Sequence, residues 1–387
     1  MYVQVARCVI ITVKPSHEVN GLNAQSPKYL QLKEEIVSWI AGGRYLPGDK
    51  LPSENELAER FALSRQTVRQ SIGELVQEGW LSREQGKGTF VARPSAERRP
   101  SGGNRTVGLL TTHISDYIFP SIVRGVEAAL KERGYRLLLS STDNRKDRER
   151  ESLETMLTQG VCGLIVEPTK SAEGNPNFEA FMALEYHGIP MLMINEQYPD
   201  LDWPCVKLDD AAGGRLATDH LLSAGHRRIA GFFKTDDLQG VQRMKGFVQA
   251  HRERHLAVPP ELLVRYATEE KDSRPHEALR ELLAQPEPPT AIVCYNDQLA
   301  VGLLDVVRKA GLRVPEDLSI VGYDDSFLAT ATEIKLTTVA HPKAEMGETA
   351  AMLLLDLLET GRPEARRGKV YEPKLIVRES TAARRRE

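Results

Sequence analysis

The 387-residue chain carries 51 Lys/Arg against 54 Asp/Glu, a formal net charge of −3, with 6% aromatic residues. That length allows two or three domains with a sizeable core, and no apolar run approaches the ~18 residues a membrane-spanning helix needs. Cys8, Cys162, Cys205 and Cys294 are scattered without a CxxC pair, and the nine histidines form no HExxH cluster. This argues against a disulfide framework and against zinc; no metal is expected, and the expected compartment is a reducing cytoplasm. The charge is uneven. Residues 27–105 hold 13 Lys/Arg against 10 Asp/Glu, while the chain after them holds 36 against 43, a basic small part joined to an acidic large one.

Residues 1–26 contain Arg7 followed by CVIITV. This apolar run of about six residues is shorter than a signal-peptide core and has no small-residue cleavage site after it. A disordered leader, from an over-extended start, is expected. Tyr29, Leu32, Ile36, Trp39 and Ile40 then fall at helical spacing, predicting a helix over Tyr29–Gly42. Lys28 and Tyr29 at its start are placed to reach a phosphate.

The stretch Leu51–Val91 carries the sharpest pattern. Ser53 and Glu56 make an S-x-x-E capping box, starting a helix with Leu57, Ala58 and Phe61 on one face. Ala62-Leu63 forms the turn and Ser64 caps a second helix, on which Val68, Ile72, Leu75 and Val76 must be buried. The opposite face presents Arg65, Gln66, Arg69 and Gln70, forked guanidiniums and amides able to bond base edges in a major groove. Gly79 ends the helix, and Trp80–Arg83 with Thr89–Val91 form a hairpin tipped by Gly86-Lys87-Gly88. A helix with Arg and Gln on one face is ordinarily just solvated. The order of caps, turn, basic face and glycine-tipped hairpin is far more specific, and it predicts a winged helix-turn-helix.

These residues resemble the GntR family of bacterial winged-helix regulators, with the pattern L-P-S-E…S-R-x-T-V-R-x-A…G-x-G-T-F-V. The likeness runs from Pro27 to Val91, with Ser71 where the family usually has Ala. It implies duplex DNA as a partner. The candidate DNA-facing residues are Lys28, Tyr29, Ser53, Arg65, Gln66, Thr67, Arg69, Gln85 and Gly86.

Residues 93–105, rich in Pro, Gly, Ser and Arg, read as a flexible linker. From Thr106 strands and helices alternate. The strand candidates are Val107–Thr111, Arg136–Ser140, Gly163–Val166, Met191–Ile194, Cys205–Leu208, Ile229–Phe233, Ala291–Cys294 and Ser319–Val321. Helices are expected at Ser121–Arg133, Glu149–Gln159, Ala211–Ala224, Val241–Arg254, Pro275–Ala284 and Gln298–Ala310. Such alternation means parallel sheets with helices on both faces, and the length fits two of them.

Ligands in open α/β sheets bind beyond the carboxyl ends of strands. The residues there include Asp116, Tyr117, Glu167, Asn195, Asn296 and Asp324, with Arg243 at a helix start. Acids, amides, one guanidinium and a ring suit a neutral polyol, through paired bonds to hydroxyls and a ring against the apolar sugar face. Asp297 and Asp325 read equally well as helix caps.

AGHRRIAGFF, VQRMKGF, PTAIVCYNDQLAVGLL and VPEDLSIVGYDDS resemble the LacI/GalR sensor domain, from Thr106 to about Arg378. The resemblance implies a two-lobed, periplasmic-binding-protein-like (type I) domain of two Rossmann-like sheets crossed three times by the chain. It also implies a sugar-like effector and dimerisation through this domain, with Arg243, Asn296 and Asp324 matching the family's effector contacts. The expected organisation is therefore a leader (1–26), a winged helix-turn-helix (27–92), a linker (93–105) and an effector-binding and dimerisation domain (106–387).

A GntR-type head on a LacI-type body resembles the arabinose-operon repressors of Gram-positive bacteria, on PKYLQLKEEIVSWI, TTHISDYIFPSIVRG, GLIVEPTKSA and VGYDDS. That likeness implies a cytoplasmic homodimer on palindromic operator DNA, released by L-arabinose, with no cofactor. Another pentose, a hexose or a purine is the alternative effector, because fold alone does not choose among them. An aminotransferase-like body is disfavoured by the lack of a Gly-rich phosphate loop, and a hydrolase by the lack of a G-x-S-x-G elbow; no enzyme is expected. A secreted sugar-binding protein is disfavoured by the DNA-binding head and the absence of a credible signal peptide.

Overall fold

A computed structural model describes residues 27–41, 44–46, 48–77, 80–84, 86–92, 105–114, 117–360 and 367–384. The chain falls into two compact units, one of 1–37 and 48–92, the other of 38–47 and 93–387. The leader, nearly all of the linker, Gly79, Gln85 and Asp116 lie outside the described residues. Among those described, no helix is long and apolar enough to cross a membrane.

The smaller unit holds helix α1 (Lys28–Ala41) through Val37, α2 (Glu54–Arg60), α3 (Arg65–Gln77) and a hairpin of β1 (Leu81–Glu84) and β2 (Gly88–Val91). The capping box at Ser53 forms in both directions: Glu56 N–H donates to Ser53 Oγ at 3.3 Å and Ser53 N–H to Glu56 Oε2 at 2.7 Å. Ser64 caps α3 by accepting from Thr67 N–H at 3.1 Å. Leu57, Val68, Ile72 and Leu75 are fully buried, each contributing about 1.5–3 kcal/mol through removal of apolar surface from water. Val76, expected in that core, is half-buried. Gly86 turns the hairpin at φ +78°, a backbone region open to glycine without strain.

The larger unit contains two lobes. The first is built from β3 (Thr106–Thr111), α4 (Phe119–Glu132), β4 (Arg136–Ser141), α5 (Lys146–Thr158), β5 (Gly163–Val166), α6 (Phe178–Tyr186), β6 (Met191–Ile194) and β7 (Cys205–Leu208). The second has α7 (Asp210–Ser223), β8 (Ile229–Lys234), α8 (Leu238–Glu253), β9 (Leu263–Tyr266), α9 (Arg274–Leu283), β10 (Ala291–Cys294), α10 (Asp297–Lys309), β11 (Ser319–Asp324), α11 (Leu328–Ala331) and β12 (Thr337–Ala340). The chain then returns to the first lobe with α12 (Lys343–Glu359) and β13 (Lys369–Tyr371), and ends in the second with β14 (Lys374–Ile376). The two six-stranded sheets run β13-β7-β6-β5-β3-β4 and β14-β12-β11-β10-β8-β9. All pairs are parallel except β12 with β14, and the chain passes between lobes three times.

The second sheet shows why its strands read as continuous apolar runs. Ala230, Phe232, Ile292, Cys294 and Ile320 belong to one core cluster, while Ile229, Phe233, Val293, Val321 and Tyr323 belong to another. Alternate side chains of one strand enter opposite cores, as a sheet covered on both faces requires.

Every expected strand is present, four with the expected bounds and the others within three residues of them. The sequence reading did not find β9, β12, β13, β14, α6, α11 or α12. The four strands have three or four residues each, too few to display a period, and β9, β13 and β14 lie at sheet edges.

Candidate functional site

On the smaller unit, α3 presents Arg65, Gln66, Arg69 and Gln70 to solvent while Val68 and Ile72 point inward. Glu54, in the first turn of α2, holds two of the nearby cations. It accepts from Arg69 at 3.1 Å and from Arg83 of β1 at 2.9 Å, tying the exposed helix to the hairpin. Thr67 is half-buried, its hydroxyl 2.8 Å from that of Ser64. Lys28 is exposed at the start of α1, and Tyr29, half-buried, accepts from the Ser71 hydroxyl through its carbonyl at 2.8 Å. Ser71 thus fills the position where the family has Ala with a bonded hydroxyl. Ser53 is exposed and engaged as the α2 cap. The arrangement offers guanidiniums and amides on a rigid helix, flanked by a glycine-tipped wing, which is what base-edge and phosphate contacts need.

In the larger unit a cavity of about 270 Å³ opens between the lobes at the carboxyl ends of their strands. Tyr117, Glu167, Arg243, Asn296 and Asp324 all line it. Arg243, 3% exposed, is the centre. Its Nε donates to Asp210 Oδ1 at 2.7 Å, one terminal nitrogen to the Tyr295 carbonyl at 2.7 Å, and the other lies 3.5 Å from Asp324 Oδ1. Its guanidinium lies 3.6 Å from the Tyr323 ring centroid and 4.9 Å from that of Tyr295. These partners hold Arg243 cationic, well above its ordinary range despite burial.

Tyr117, from the first lobe, reaches the second: its hydroxyl donates to Asp324 Oδ2 at 2.6 Å and accepts from Asp297 N–H at 3.1 Å. Burial and the charge of Asp324 push its pKa well up, so the phenol keeps its proton. Tyr117, Asn195 and Asp324 all have positive φ, at +59°, +65° and +93°. Non-glycine residues held there cost free energy and cluster at ligand sites.

Asn195 is not in the cavity wall. It sits behind Glu167, donating to Glu167 Oε1 at 2.7 Å, and its Oδ1 lies 3.1 Å from His341 Nε2 at the second inter-lobe passage. Glu167 Oε2 accepts from the Thr112 amide and hydroxyl, both at 2.8 Å, while burial raises its pKa. Asn296 lines the cavity but also caps α10, accepting from Leu299 N–H at 2.9 Å. Asp297 and Asp325, read as alternative caps, do not serve as caps. Asp297 accepts from Ser326 N–H and Thr338, and Asp325 pairs with Arg378 at 2.6 Å.

Sequence reasoning missed Lys234, Asp237, Tyr295 and Asp210. Lys234 ends β8, Asp237 follows it and Asp210 follows β7, so the strand-end rule that found Glu167 and Asp324 would have found them too. Lys234 Nζ lies 3.0 Å from Asp237 Oδ2, which also accepts from the Tyr295 hydroxyl at 2.7 Å. Opposite them the first lobe clasps the second: Asn144 donates to Thr268 at 2.7 Å, Lys170 pairs with Glu269 at 2.6 Å, and Leu238 N–H donates to Ser171 Oγ at 2.9 Å.

A winged helix-turn-helix on the same chain as a two-lobed ligand cleft defines a ligand-responsive transcriptional regulator. Two family models match, the gntR family of bacterial regulatory proteins over residues 28–91 and the periplasmic binding protein-like domain over 218–381. The arabinose metabolism transcriptional repressor of Geobacillus stearothermophilus is 56% identical over 92% of this chain and 98% of its own; that of Halalkalibacterium halodurans is 49% identical over 92% and 96%. A solved LacI family regulator from Enterococcus faecium with bound ribose is 29% identical, with a TM-score of 0.62 over 72% of this chain and 100% of its own. The chain belongs to the family of arabinose metabolism transcriptional repressors.

Proposed function

We propose that the protein works in the cytoplasm as a homodimer on palindromic operator DNA and that L-arabinose in the cleft releases it. Arg65, Gln66 and Arg69 would read the major groove, with Lys28, Tyr29, Ser53, Thr67, Gln85 and Gly86 at the backbone and wing. A two-fold dimer then asks for half-sites about one or two helical turns apart. The effector would bridge the lobes through Tyr117, Glu167, Arg243, Asn296 and Asp324, with Asn195 positioning Glu167; Asp116 stays a candidate from its sequence position alone. No cofactor enters this scheme.

The observation that carries the reading is the buried Arg243 cluster facing a cavity of about 270 Å³. That volume lies near the lower end of ligand pockets and suits a monosaccharide. The names of the two repressors more than 45% identical to this chain favour arabinose. A different pentose is the second reading, favoured by the ribose bound in the Enterococcus relative.

The test is fluorescence anisotropy with DNA from the chain's own promoter region, titrated with L-arabinose and then a sugar panel. Tight binding lost with L-arabinose alone is the expected result. Loss with another sugar instead would replace the effector and keep the repressor. Failure to bind duplex DNA at low salt would remove the reading altogether, since phosphate contacts alone should register there.

A further inference from the structure

Two cations of the cleft wall, the buried Arg243 and the half-buried Lys234, are already matched by acids within the protein. Lys234 lies 3.0 Å from Asp237 and 3.4 Å from Asp236. Arg243 lies 2.7 Å from Asp210 and 3.5 Å from Asp324. Each cation therefore faces two carboxylates. Among the described residues lining the cavity, Glu167, Asp237, Asp272 and Asp324 stand against Lys234, Arg243 and Lys271.

A site for an anionic ligand needs the reverse, a guanidinium or ammonium whose counter-ion is the ligand itself. Here an incoming carboxylate or phosphate would shed its water and meet acids of its own sign. A sugar hydroxyl meets no such obstacle, because it donates to an aspartate and accepts from the neighbouring cation without adding charge.

We propose that this double pairing makes the cleft selective for uncharged polyols over sugar acids and sugar phosphates of the same skeleton, with Asp237, through Lys234, setting that preference. The inference rests on reading the cleft as the sugar site. Asp237 is well placed to be tested alone. It caps α8 by accepting from Gly240 N–H at 2.7 Å, and asparagine is an equally good cap, so Asp237→Asn keeps the helix start while leaving Lys234 with one acid.

Isothermal titration of the full chain would compare neutral and charged partners of equal ring state: L-arabinitol with L-arabinonate and xylitol with D-xylonate as open chains, D-galactose with D-galacturonate as rings, and D-ribose with D-ribose 5-phosphate, with L-arabinose as the reference ligand. Any neutral member that binds should do so at least about a hundredfold more tightly than its charged partner, the scale of a like-charge juxtaposition. In Asp237→Asn that ratio should narrow about tenfold, the size of one partly screened charge. A merely structural role would weaken both members alike and leave the ratio fixed, which would overturn the assignment to Asp237. A wild-type chain that held a sugar acid or the phosphate as tightly as its neutral partner would overturn the selectivity itself. If the sugar bound is not L-arabinose but its acid is still rejected, the effector assignment falls and this inference stands. The variant's fold is checked by thermal melting.

Discussion

Arg243 shows how one side chain can carry both stability and recognition. Its guanidinium neutralises Asp210, which is only 4% exposed, and stacks on Tyr323. Removing it strands a buried carboxylate, so Arg243→Ala should cost about 3–5 kcal/mol of stability, and adding Asp210→Asn should recover part of that. Chemical denaturation of the wild type and the two variants checks this; a double variant no more stable than the single one would mean that packing, not charge, dominates. Where the variant is folded, sugar should no longer release it from operator DNA. Arg243→Lys should not rescue release, because an ammonium lacks the planar fork that meets Asp210, Asp324 and the Tyr295 carbonyl together. Asp297 gives the molecule a pH dependence. Burial first and the neighbouring Asp324 second raise its pKa to about 7 from an ordinary 3.8. Between those values the folded chain holds a proton that the unfolded chain has released, so stability falls as pH rises through the window. From pH 6 to pH 8 this one group should remove on the order of 1 kcal/mol. Urea unfolding at the two pH values should show that loss in the wild type and a smaller one in Asp297→Asn; equal losses would place the proton elsewhere.

At the scale of elements, α7 and α8 are the platform that aims Arg243. A Cβ on Gly214 would stand 2.1 Å from the Arg243 carbonyl oxygen, and one on Gly246 would stand 2.0 Å from that of Ala211. These contacts are backbone to backbone, so neither helix can yield by a rotamer change. Gly214→Ala should push α8 outward, costing at least the ~1–3 kcal/mol of an overpacked core and weakening sugar binding although residue 214 lies outside the cavity wall. Titration calorimetry with thermal melting would show both effects, and a variant with lowered melting temperature but unchanged sugar affinity would separate the platform from the site. Much at this scale was legible beforehand. The caps at Ser53 and Ser64 are local chemistry, and the strands Gly163–Val166, Met191–Ile194 and Ala291–Cys294 are apolar runs bounded by turns, so short windows reveal them. The close crossing of α7 and α8 was not legible, because it depends on glycines whose partners come from another helix. Nor was the pairing of Asp210 with Arg243, 33 residues apart in sequence. Asn195 was picked from its place after a strand, but only the three-dimensional arrangement shows it supporting Glu167 and meeting His341 instead of lining the cavity.

For the whole molecule, the proposed mechanism rests on linkage between two modules. Sugar can shift the equilibrium between operator-binding and released forms only by its differential affinity for them. A homodimer carries two sugar sites and one operator site, so the factor that saturating L-arabinose removes from operator affinity must be the square of the factor that saturating operator removes from each of two like sugar sites. Coupling per site is commonly about 5–150-fold. Calorimetric titration of L-arabinose into the free dimer and into the dimer saturated with operator should give two dissociation constants in the per-site ratio. Anisotropy with and without sugar should return the square of that ratio from the other side. Arg65→Ala isolates the modules within this cycle. It removes an exposed guanidinium of α3, so operator affinity should drop by about 1–3 kcal/mol, the worth of a base contact, while sugar affinity in the absence of DNA stays put. A variant that lost both activities while melting normally would contradict independent modules. An operator ratio that departs from that square would be still more telling, because two like sugar sites coupled to one operator site cannot produce it. Release would then have to involve a further sugar site or a change in subunit assembly, and sedimentation of the chain with and without sugar would distinguish the two.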